Sequence, residues 1–84
     1  MYILINVYTC DNRTPYIASV EEYETYQEAI CAMNANADKR YEEQLETWTN
    51  VDGNESTKPR IERGLSTIDI VGYDYHDYWQ IRFI

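Results

Sequence analysis

Residues 25–48 read TYQEAICAMNANADKRYEEQLETW, and their spacing decides how the rest of the chain can fold. Thr25 followed by Glu28 fits the T-x-x-E capping box, in which a hydroxyl and a carboxylate satisfy amide donors left free at a helix start. From there Tyr26, Ile30, Met33, Ala37, Tyr41, Leu45 and Trp48 recur at spacings of three or four, holding one apolar stripe for about six turns. The pattern predicts a helix from Tyr26 to about Thr47. Glu28, Asp38, Glu42 and Glu46 fall on the opposite side, with Cys31 and Ala35 among them, so the solvent face of this helix is acidic.

Before the helix, YILINVYT (2–9) is an apolar run rich in β-branched and aromatic residues that stops at the turn formers CDNRTP. It is a strand in which Ile3, Ile5 and Val7 point one way and Tyr2, Leu4, Asn6 and Tyr8 the other. YIASV (16–20) returns beside it as the second arm of a hairpin. After the helix, residues 49–64 have turn formers and little periodicity and are expected to be a long connection, carrying Lys58, Arg60 and Arg63. LSTIDIVGY (65–73) and YWQIRFI (78–84) then alternate apolar with polar around a DYHD turn.

The expected fold is α+β in the order β-β-α-β-β: a single domain over 1–84, with a four-stranded, mainly antiparallel sheet and one long helix packed on one face. The expected spatial order is 2-1-3-4. Ile68, Ile70, Trp79, Ile81 and Phe83 are assigned to the helix side. Tyr2, Leu4, Tyr8, Val71, Tyr73, Tyr78 and Ile84 are assigned to the uncovered side, a patch suited to a partner or a second copy.

Fifteen acidic residues against seven basic ones give a formal charge of −8, which repels phosphate backbones and excludes direct nucleic-acid binding as the default. The same charge attracts a basic protein surface and speeds the encounter in a salt-dependent way. No run reaches the roughly 18 apolar residues of a membrane span, and no basic and apolar leader opens the chain, so a cytoplasmic location is expected. Cys10 and Cys31 are too few for a secreted disulfide framework and are expected to be free thiols.

Chemistry-bearing motifs are sparse. Asp74, His76 and Asp77 place the single histidine between carboxylates, but a catalytic metal takes three protein ligands with supporting partners, and turn tips collect Asp and His for their solvation alone. There is no glycine-rich phosphate loop, no G-x-S-x-G elbow and no H-E-x-x-H helix. NVDGNE (50–55) fails as a calcium loop because its glycine directly follows the aspartate, and the acceptor triplets N-R-T (12–14) and N-E-S (54–56) need a secretory context. No catalytic residue, metal or cofactor is assigned.

A short, acidic, tyrosine-rich domain of this kind resembles the small accessory proteins of phages and mobile elements, notably anti-CRISPR and antirestriction inhibitors. That resemblance implies stoichiometric inhibition of a bacterial defence complex such as a CRISPR effector, in the host cytosol, through the site where nucleic acid would bind. The three basic residues between 49 and 64 depart from a pure nucleic-acid mimic. The expected activity is therefore that of a non-enzymatic inhibitor. Glu28, Glu42, Glu46, Asp74 and Asp77 would steer the basic partner, and Tyr73, Tyr75 and Tyr78 would anchor it. The alternatives are a structural or regulatory homodimer pairing through the open sheet face, and a small-ligand sequestrant.

Overall fold

A computed structural model describes residues 1–11 and 13–84. Two strands, β1 (Tyr2–Cys10) and β2 (Tyr16–Tyr23), precede one helix, α1 (Tyr26–Val51). A 3-10 turn, η1 (Glu55–Thr57), leads into β3 (Arg60–Arg63), β4 (Thr67–Val71) and β5 (Tyr75–Phe83). The fold is α+β, with a five-stranded sheet in the order β2-β1-β5-β4-β3. Every pairing in it is antiparallel.

The helix starts where the capping box places it. Thr25 Oγ1 accepts from the Glu28 amide at 3.1 Å and donates to Glu28 Oε1 at 2.9 Å. At about 1.5 Å per residue, 26 residues span about 39 Å. That matches the long axis of a molecule measuring 41 × 25 × 17 Å, two layers thick. Ala29, Met33 and Ala37 are buried against Leu4, Ile68, Ile70, Trp79 and Ile81. Two alanines in this seam let the helix axis approach the sheet closely. Beyond Tyr41 the stripe leaves the central core, and Trp48 packs instead on the segment that follows the helix: its Nε1 donates to Asn54 O at 3.0 Å and Thr57 Oγ1 at 3.3 Å. Gly53, at φ +67°, makes the left-handed exit, and its amide closes on Trp48 O at 2.7 Å.

Several expectations are corrected. The stretch 49–64 is not an open connection: it holds the last helical residues, η1 and the edge strand β3. Four strands become five. The first hairpin lies at one edge as expected, but the last strand, not the one before it, pairs with β1, and β5 is the centre of the sheet. The last turn is not DYHD. Gly72 donates to Tyr75 O at 2.9 Å around Tyr73–Asp74, so His76 and Asp77 belong to β5. A Cβ at Gly72 would lie 2.1 Å from the Tyr75 ring, which accounts for glycine at that corner.

The facing of β1 is also reversed. Leu4 and Asn6 are buried beneath the helix, with Tyr2 packed against the same core, while Ile3, Ile5 and Val7 lie on the uncovered side. Register confirms the assignment, since Leu4 pairs with Ile81 and Asn6 with Trp79, both buried. Ile68, Ile70, Trp79 and Ile81 face the helix as expected. Phe83 lies beyond the core and is exposed, its ring centroid 5.1 Å from that of Tyr2.

Candidate functional site

Asp77 organises the end of the molecule where α1 finishes. The alternation of β5 turns its side chain inward between Tyr75 and Trp79, and it is 0% exposed. Asn6 Nδ2 donates to its Oδ1 at 3.2 Å, and Gln44 Nε2 to its Oδ2 at 3.2 Å. Arg40 Nη1 pairs with the same Oδ2 at 3.3 Å, from a side chain that is itself 42% exposed. The Asn6 amide also donates to Tyr78 O at 3.0 Å, bridging the two central strands. A buried carboxylate is tolerable only when charge and hydrogen bonds compensate its lost hydration, and three side chains from β1 and α1 supply that here. One group in the cluster stays unmatched: Gln44 Oε1 is buried without a hydrogen-bond partner among the described residues.

Immediately outside this cluster a groove of about 360 Å³ opens between the last helical turns and the Tyr73–Asp74 corner. Its walls are Tyr8, Tyr73, Tyr75 and Trp48, with Gln44, Thr47, Val51, Thr57 and Pro59 between them and the carboxylates of Asp52 and Asp74 beside them. The Tyr8 and Tyr75 rings stack with centroids 6.5 Å apart. Burial, reinforced by neighbouring Tyr8, Asp74, Asp77 and Tyr41, pushes the Tyr75 hydroxyl up to about 12. Burial first, then Cys10 and Asp77, raises Tyr8 as well. Both rings are therefore neutral hydroxyl donors at physiological pH.

The basic residues between 49 and 64 are tied down within the chain. Lys58 Nζ lies 5.6 Å over the Trp48 ring, and Arg60 pairs with Glu62 at 3.0 Å. Arg63, projecting from the β3 edge toward the helix, meets Asp38 at 2.5 Å and Asn34 Oδ1 at 2.8 Å. Glu42, Glu43 and Glu46 are exposed on the helix, and none of them forms an ion pair among the described residues.

The eight residues expected to contact a partner are not one surface. Glu42 and Glu46 share the later half of α1 with the groove at its end, and Tyr73, Asp74 and Tyr75 form the groove's far wall. Glu28 caps the opposite helix end, about 27 Å from Glu46 along the axis. Tyr78 lies on the uncovered sheet face. Asp77 is enclosed, so its expected steering role is replaced by a structural one. His76 also parts from Asp77: it projects to the uncovered face, where its Nε2 lies 2.7 Å from Asp69 Oδ1. No group of three or more His, Cys, Asp or Glu arranged to hold a metal occurs among the described residues. Cys10 and Cys31 are both free. Asn12, which falls in the expected first turn and begins the N-R-T triplet, lies outside the described residues.

Comparison with family models, curated proteins and solved structures returned no match to this chain. No helix among the described residues is long and apolar enough to cross a membrane.

Among the groove residues that sequence reasoning missed are Tyr8, Gln44, Trp48 and Asp52. Alternation puts Tyr8 on the uncovered side, the helical stripe puts Trp48 in the core, and Gln44 is a polar residue between acids on a helix, a pattern that normally marks solvent. The usable signal was the turn-rich 52–59 segment directly after Trp48, since an aromatic followed by such a segment often has the chain fold back over it.

Proposed function

We propose that the chain is a non-enzymatic binding protein of the anti-CRISPR or antirestriction type, which occupies a basic, nucleic-acid-handling surface of a bacterial defence complex in the host cytosol. The observation that carries this reading is the asymmetry of its charges. Arg40, Lys58, Arg60 and Arg63, four of the seven basic residues, are engaged by partners inside the chain, whereas Glu42, Glu43 and Glu46 are exposed on the helix with no ion pair among the described residues. Such a surface attracts a basic partner over a distance comparable to the Debye length, about 8 Å at physiological ionic strength. Glu42 and Glu46 steer, and Tyr73 and Tyr75, beside Asp74 at the same end, provide anchoring area.

The test is capture from a bacterial lysate at low and high salt, followed by assay of the purified captured complex for nucleic-acid binding and cleavage. Stoichiometric loss of those activities is expected. The double variant Glu42→Lys/Glu46→Lys should associate more slowly, by about tenfold at low salt and by less as salt rises. An unchanged association rate would remove the steering role, and full activity of the captured complex would remove inhibition.

A second reading is favoured by the uncovered sheet face, which is more aliphatic than expected. Ile3, Ile5 and Val7 line it beside Ile17 and Val20, which are 63% and 54% exposed. In that reading the face pairs with a second copy of the chain.

A further inference from the structure

The groove at the end of α1 combines features that neither a solvated surface nor a purely apolar cleft needs. It is aromatic on several sides, and it carries the carboxylates of Asp52 and Asp74. An apolar occupant would desolvate the acids for no return. A flat cation that stacks on rings while donating hydrogen bonds to a carboxylate meets both conditions. Guanidinium has that shape, with five donors in one plane and weaker hydration than ammonium. The chain itself sets a precedent on one of these walls, where Lys58 lies over the Trp48 ring.

We infer that this groove is a receptor for one arginine side chain of the protein partner, held between the Tyr73, Tyr75 and Trp48 rings and paired with Asp74. The inference rests on the preceding reading that the partner surface is basic, and it names the anchor that surface supplies. The guanidinium stacks in the groove and Asp74 neutralises it. The acids on the helix act at long range, whereas the groove acts at contact and selects arginine over lysine.

The full chain, labelled with ¹⁵N, is titrated with N-acetyl-arginine methylamide, with the lysine and leucine analogues, and with sodium chloride at matched ionic strength. The arginine compound should shift the Trp48 indole signal and the amides of residues 73–75, leaving the Trp79 indole in place. Lysine should act more weakly, and leucine and salt should leave the groove unmoved. Asp74→Asn, at an exposed position, should weaken the arginine response by up to about fivefold while preserving the spectrum elsewhere. Equal responses to lysine or leucine, a response centred on Trp79, or no response at the groove overturns the inference. Because no partner protein is needed, the outcome is independent of the capture experiment. Arginine binding without capture sinks the earlier reading, and capture without arginine binding sinks this one.

Discussion

Asp77 shows how one side chain can dictate the placement of others far away in sequence. Asn6 is 71 positions away and Gln44 and Arg40 are 33 and 37, yet all three converge on its carboxylate. Replacing Asp77 by Ala strands the Gln44 amide, leaves the Asn6 amide with Tyr78 O alone and leaves Arg40 without its counter-ion. Because Arg40 keeps access to water, the expected loss lies at the low end of about 3–5 kcal/mol, checked by urea denaturation. A loss below 1 kcal/mol would mean that water takes over the role of the carboxylate. Tyr75 makes a second prediction. Its hydroxyl is held near 12 in the folded protein against 10.0 ordinarily, so above pH 10 the unfolded chain sheds a proton that the folded chain retains. Stability is thus whole below pH 10 and falls as pH climbs toward 12, with Tyr8 and Tyr23, also raised, adding to the slope. Denaturant midpoints across that range should decline less steeply for Tyr75→Phe, and equal slopes would show that the burial of Tyr75 does not govern alkaline unfolding. Asn6 also explains why the facing of β1 could not be settled from its sequence. Every other residue from Tyr2 to Tyr8 is apolar or aromatic, so alternation carried no sign, and the one polar residue pointed to solvent when its true partner was a buried acid.

The elements were legible in proportion to their length and periodicity. α1 announced both its start and its apolar stripe, because a capping box and several turns of repeat leave little room for another structure. β3 did not: RIER is four residues, three of them charged, and it forms a strand because β4 offers it an edge, with Ile61 opposite Ile70 and Arg63 reaching back to Asp38. The groove was equally hidden, since its two walls come from the helix end and a hairpin corner that only tertiary structure brings together. The uncovered sheet face yields a prediction of its own. If it pairs with a second copy, sedimentation at high micromolar concentration gives a dimer, and Ile5→Lys, opposite Val20 and Gln80, returns it to monomer without unfolding it. A single species of monomer mass in the parent chain removes the second reading.

The whole molecule is one helix laid along a sheet whose middle strand is also its last. β5 pairs with β1 on one side and β4 on the other, so each half of the sheet lacks its neighbour until residues 75–83 are in place. On a translating ribosome the first hairpin and the helix therefore emerge with Leu4, Met33 and Ala37 still wetted. The keystone arrives after everything it must lock, and a chain interrupted before Tyr75 leaves β1 and β4 unjoined. Quality-control proteases therefore have a window on every nascent copy that closes only when the final strand slides into the gap between β1 and β4.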